Sequence, residues 1–450
     1  MEMKNLKAES HGLQSFPVLL SAGAAISLAL SPAVAEVANV ECASEPATNQ
    51  PAWLNPPQPL QLTLGAFDFH PHLRALTVYD DNIEFLAKGK QADIINQISP
   101  GVQIVGGDRS TLRTYFDQYA DQGYVSDLAA LSTSSLVIHS PEIWPDKFLV
   151  VDYSTQWQLF GHYTRNDSVD QFVTVNAEWP MAKWVTGFLE DYSDQKIVLA
   201  AAATRTEVRQ NQTELNAGYQ FDDKYSVDTA FGFQDVAYPE SPNLDGYTEG
   251  RWGLSLNRQI AQIFYASLVG ASGFDQVIGG QNQQFNDFGG RIRYRYSEKF
   301  SMDASLGEEY RQYDSGIPST LKPYGTLGVT YAPWERTYLR LMFTRQQFPS
   351  LYDGDYYVST GGELVVRKYF TDRFLIQSDI GYYQADFMPT TETGGSRKPL
   401  DYYAVRIDGE VRLFKDLDAE VYYLFRGSGI SQNDNVLQEN QCGFQVLFQF

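Results

Sequence analysis

The chain has 450 residues, of which 14% are aromatic, with 29 Tyr and 27 Phe and a formal net charge of −21. That acidity argues against nucleic acid as a partner, which requires a basic footprint. Beyond the N-terminus there is no run of about 18 apolar residues, which excludes a bundle of membrane-spanning helices.

Residues 1–35 predict a secretory signal: Lys4 and Lys7 start it, Phe16 to Leu30 form an apolar core, and Ala33-Val34-Ala35 precede Glu36. An uncleaved anchor is the alternative, although Ser21, Gly23, Ser27 and Pro32 weaken a spanning helix. Glu41 stands before Cys42 where lipidation wants a small residue, and Cys42 and Cys442 are too far apart to suggest a disulfide framework. Residues 36–62 read as a Pro-rich periplasmic lead.

Residues 63–450 predict an all-β fold, a transmembrane antiparallel β-barrel of roughly 18 strands (about 16–20). Tight connections are expected at Trp179 to Lys183, Asp222 to Lys224, Arg258 to Gln262, Ser297 to Lys299, Pro333 to Arg336, Thr371 to Arg373 and Lys415 to Asp418. Longer ones are expected at 193–211, 236–246, 273–283, 346–356, 387–400 and 428–438. Short turns on one rim and long loops on the other distinguish the periplasmic from the outer side. The stretch 107–146 breaks this rhythm as a short, partly helical insert, periplasmic or lumenal. Asp108 would cap a helix with Leu112, Tyr115, Phe116 and Tyr119 on one face, which makes these four the gate or plug candidates.

Alternation with period 2 divides each strand into a lipid face and a lumen face. In Gly289 to Tyr296, Arg291, Arg293 and Arg295 oppose Ile292, Tyr294 and Tyr296; in Asp401 to Phe414, Arg406, Asp408, Glu410 and Arg412 oppose Tyr403, Val405, Ile407, Val411 and Leu413. With Asp303, Glu309, Arg340, Arg367, Glu420 and Arg426 these charged residues are the expected lumen lining. Arg293 is expected near Asp303, and Arg412 near Glu420. As a path for solute, the three-arginine stripe favours anionic sugars, because the guanidinium fork matches a carboxylate; the bland alternative is that the charges brace the wall. The last strand places Cys442, Phe444, Val446, Phe448 and Phe450 on its apolar side. The last four residues of that set resemble the signal read by bacterial barrel-assembly machinery.

The stretches Tyr79-Asp80-Asp81-Asn82-Ile83, Ile98-Ser99-Pro100-Gly101 and Phe148 to Tyr153 resemble the opening of a family of outer-membrane porin-like barrels associated with exopolysaccharide biosynthesis and export. The likeness extends in pattern over most of residues 67–450, and the 107–146 insert departs from it. It implies location in the bacterial outer membrane and a conduit for polysaccharide; separately, the acidic loops suit lipopolysaccharide, and a periplasmic export component is a further expected partner. It transfers no catalytic residue. Read by themselves, Asp80 and Asp81 suit either a divalent cation or turn chemistry, and turn chemistry is the commoner use.

The five histidines, His11, His70, His72, His139 and His162, fall in no GxSxG, HExxH or Cys/His arrangement, so neither enzyme, metal nor cofactor is expected. The expected function is a porin-like channel or exporter for hydrophilic solutes. A structural or adhesive surface barrel is the alternative, and a barrel hydrolase is a weaker one.

Overall fold

The computed structural model describes residues 62–107, 147–199, 204–241, 244, 246–278, 282–297, 299–314, 318–349, 356–388, 399–414, 417–430 and 436–449. The expected signal, nearly all of the Pro-rich lead, the four gate candidates and Phe450 lie outside these residues.

A short β1 (Leu62–Leu64) pairs with the start of the first barrel strand. The barrel strands are β2 (Phe67–Asp80), β3 (Asp93–Gly107), β4 (Phe148–Phe160), β5 (Ser168–Met181), β6 (Trp184–Leu199), β7 (Thr204–Gln220), β8 (Tyr225–Ala237), β9 (Tyr247–Ala261) and β10 (Phe264–Val277). They continue with β11 (Gln283–Ser297), β12 (Phe300–Tyr313), β13 (Thr320–Tyr331), β14 (Thr337–Pro349), β15 (Tyr356–Thr371), β16 (Phe374–Met388), β17 (Leu400–Phe414), β18 (Leu417–Ile430) and β19 (Val436–Gln449). Each pairs antiparallel with the next, and β19 pairs with β2 through Gln441↔Asp80 to Gln449↔His72. The eighteen strands therefore form a closed barrel with no free edge, the arrangement that satisfies every backbone group inside a membrane.

The two faces are inverted relative to a soluble protein. Outward positions hold Leu306 (72% exposed), Phe288 (70%) and Val421 (60%), while the buried set is largely carboxylates, amides and hydroxyls. This is the apolar-out, polar-in pattern of a transmembrane barrel. Cys442, Phe444 and Phe448 are exposed on the outer side of β19. Among the described residues no helix is long and apolar enough to cross a membrane.

On one rim the strand limits leave two to five residues between neighbours, apart from the long stretch between β3 and β4; on the other they leave four to twelve. These are the turn rim and the loop rim. Exposed Trp179, Trp184, Phe221, Tyr225, Tyr296, Tyr331 and Trp334 ring the turn rim, as aromatic side chains do at a membrane interface. Three of the connections expected to be long are short, because the strands run on: β6 and β7 narrow 193–211 to residues 200–203, β10 and β11 narrow 273–283 to 278–282, and β18 and β19 narrow 428–438 to 431–435. The polar tips of these strands stand above the apolar band, and polarity alone made them resemble loops.

Gly107 and Phe148 are register partners at the turn rim. Gly107 has φ +110°, and a Cβ there would lie 2.1 Å from the Lys147 carbonyl oxygen. Only glycine fits that turn.

Candidate functional site

The lumen is lined by alternate residues along every strand. On β11 and β12 the antiparallel register sets Arg293 opposite Asp303. The buried Asp303 carboxylate accepts from Arg291 Nε at 3.0 Å and from Arg293 Nε at 3.4 Å. Arg295 continues the same face and is exposed near the turn rim. Higher on the wall, Arg311 Nε donates to Glu309 at 2.6 Å, and its Nη1 donates to Asp275 at 2.5 Å and Gln283 at 2.7 Å. Arg251 donates to Asp287, and both arginines lie over the Phe285 ring.

Farther round, Arg367 Nε donates to Gln377 at 2.8 Å, and Gln377 donates to Asp379 at 3.2 Å. Glu363 has Asp379 and Arg340 as its charged neighbours. Arg406 donates to Asp408 and to Glu420. Gln445 links Glu420 to Arg74, whose Nε donates to it at 2.9 Å. Glu410 stands opposite Glu420 in register. Arg412 donates to Asp418 at 3.0 Å rather than meeting Glu420, because the short turn places 412 opposite 418. Arg426 donates to Glu439 at 2.6 and 3.1 Å, and Gln441 joins Glu439 to Asp80.

The inner wall from β3 to β8 has a different character. It carries the buried carboxylates of Asp93, Asp152, Asp170, Glu178, Asp191, Glu214 and Asp228. Among the described residues its inward positions hold no lysine or arginine; only at the β6–β7 tip does Arg205 reach in, to Gln158 and the Phe160 ring. Several partners there are neutral: Gln103 for Asp152 (3.3 Å), Gln158 for Asp170, Thr174 for Asp191 (3.4 Å) and Asn257 for Asp228 (2.5 Å). Most arginines on the other wall are matched to carboxylates, while Arg74 and Arg367 bond to amides, and the acidic wall leaves the bore with a surplus of negative charge.

The Asp80-Asp81-Asn82 cluster is turn chemistry that steers a loop. Asn82 N–H donates to Asp80 Oδ1 at 2.7 Å. The Asn82 side chain donates to the carbonyls of Leu86 (2.9 Å) and Gln438 (2.8 Å) and accepts from Leu86 N–H (2.9 Å). The residues that follow turn into the barrel mouth: Ile83 and Phe85 are 0% and 1% exposed, and Phe85 has φ +52°. Neighbouring residues support the loop. Asn166 donates to Glu84 at 3.0 Å, and Asp93 accepts from the His162 and Tyr163 backbone N–H groups at 3.0 and 2.9 Å. Among the described residues no cluster of His, Cys, Asp or Glu has a metal-binding arrangement.

No protein-family model and no curated protein matches the chain. Solved structures similar to it include OpdQ of Pseudomonas aeruginosa (9% identity, 86% of this chain and 99% of that one, TM-score 0.46). OccAB3 of Acinetobacter baumannii is similar at 9% identity over 86% and 100% of the two chains, with a TM-score of 0.44. The outer membrane protein OpdK of Pseudomonas aeruginosa is similar at 10% identity over 85% and 98%, with a TM-score of 0.42. The fold of this chain stands on its own strand pairing.

Sequence reasoning passed over Phe85, Arg311, Asp275 and the acidic wall. Arg311 is in phase with Asp303 and Glu309, so period 2 was sufficient to find it. The acidic wall is spread over six strands, one or two carboxylates each, and becomes a wall only once the register is known. For Phe85 the sequence carried no signal beyond an apolar residue in a loop.

Proposed function

We propose that the chain is a porin-like channel of the bacterial outer membrane that passes hydrophilic solutes through its lumen. The observation that supports this is the closed eighteen-strand wall with an apolar exterior and a charged interior. A barrel of this size encloses more than its own side chains can fill. No catalytic constellation is invoked, and lipopolysaccharide and the barrel-assembly machinery are the partners such a protein meets. Phe444, Val446 and Phe448 on the outer face of β19 are the residues we assign to assembly.

The solute class follows from charge. The arginine stripe that favoured anionic sugars has its half-buried members Arg291 and Arg293 sharing Asp303, and the opposite wall is acidic. A bore with this surplus concentrates cations and disfavours anions, so neutral or cationic hydrophilic solutes fit it better than uronates. Export of an exopolysaccharide is a narrower reading that rests on the resemblance of Tyr79–Ile83, Ile98–Gly101 and Phe148–Tyr153.

Planar-bilayer recording tests the proposal, with a KCl gradient reporting selectivity. Cation-preferring steps support it. Persistent silence, together with surface adhesion lost on trimming the loop rim, would favour the structural alternative. Deletion of residues 108–145 tests whether Leu112, Tyr115, Phe116 and Tyr119 belong to a plug, since removal of a plug raises conductance.

A further inference from the structure

We infer that residues 81–92 are a latch that closes the loop rim of the bore, with the Phe85 side chain as its bolt. The inference rests on the channel reading and deepens it.

Phe85 is buried among residues that the sequence scatters widely. Its cluster comprises Tyr383 and Ala385 of β16 and Tyr402 of β17, with Val198 of β6 and Leu437 of β19 packed against it. β6 and β16 stand about halfway round the barrel from each other, so one apolar cluster joins opposite walls. The Arg426 guanidinium lies 5.4 Å from the Phe85 ring centroid, a cation–π contact. From the far side, the β6–β7 tip leans in. Arg205 donates to Gln158 at 2.6 Å, and Asp80, Glu84 and Arg426 are among its electrostatic neighbours.

Two features make this a latch rather than a filled wall. The clasp at Asp81 and Asn82 is polar and holds the base of the loop to β19 through Asn440 and Gln438. The bolt is a single apolar side chain, and Phe85 adopts the left-handed backbone conformation, which costs a non-glycine residue energy unless its surroundings hold it. Withdrawing Phe85 breaks one apolar contact set and releases that strain, while the clasp stays intact as a hinge.

The test uses the full chain with Cys42 and Cys442 replaced by serine and Ser305→Cys on the inner face of β12 as a reporter. An impermeant sulfonated maleimide is applied to intact cells, and conductance is recorded in bilayers. Folding is checked by the heat-dependent gel shift of closed barrels. Phe85→Ala is expected to speed labelling at least about tenfold, the order expected when a buried phenylalanine contact is lost. Val198→Asn, which cuts the contact from the opposite wall without touching the loop, is expected to act in the same direction. Equal labelling rates in the parent and both folded variants would overturn the latch. Faster labelling without any conductance would uphold the latch and overturn the channel reading.

Discussion

Asp81 accepts hydrogen bonds from both the backbone N–H and the side-chain amide of Asn440, each at 2.7 Å, across 359 residues of sequence. These bonds lie where the last strand closes on the first, so one carboxylate fastens the barrel seam and anchors the loop over its mouth. Asp81→Ala leaves the Asn440 donors unmatched, at a cost of about 1–3 kcal/mol. The expected result is a lower temperature for the heat-dependent gel shift and faster proteolysis within residues 83–92. Unchanged proteolysis would mean that the loop is held from elsewhere.

The shared carboxylate of Asp303 gives a second prediction. Asp303→Asn leaves Arg291 and Arg293 with an amide, and removing one partner of a buried ion pair typically costs about 3 kcal/mol. In variants that still fold, the freed positive charge moves the reversal potential toward anions. Stability loss with unaltered selectivity would place this pair outside the conducting path.

On the opposite wall, Asp152→Asn combined with Asp191→Asn removes acidity without changing side-chain shape. Cation preference falls, and it falls most at low ionic strength, where fixed charges are least screened. Selectivity that ignores both positions would mean that the acidic wall does not face the ion path.

Adjacent residues on β12 provide the membrane test. Leu306 is 72% exposed and points outward, whereas Ser305 faces the lumen and shares a 2.7 Å hydroxyl contact with Thr326. Leu306→Arg places a charge in lipid and costs about 2–4 kcal/mol near the bilayer midplane. Ser305→Cys costs little. Similar costs at the two positions would contradict the facing of β12.

The fold was legible because period 2 survives over most of the barrel, and a membrane barrel needs little else to announce itself. Gly289 to Tyr296 and Asp401 to Phe414 each show both faces without reference to any neighbour. Pairings were less legible, since Arg412 meets Asp418 only because the turn before β18 is short, a detail of backbone length rather than of side-chain pattern. The tips of β6 and β7 resembled a loop because strands above a membrane lose their apolar face. Phe85 was hidden for a different reason: the cluster it forms with Tyr383 and Tyr402, and the flanking Val198 and Leu437, come together only when the barrel closes.

The central claim is a conducting polar bore closed at one mouth by Phe85, and single-channel recording of Phe85→Ala beside the unmodified chain tests it most directly. Frequent cation-preferring steps from the folded variant, with few or smaller ones from the unmodified chain, are the predicted result. Silence from both folded proteins, or equally open steps from both, would contradict it.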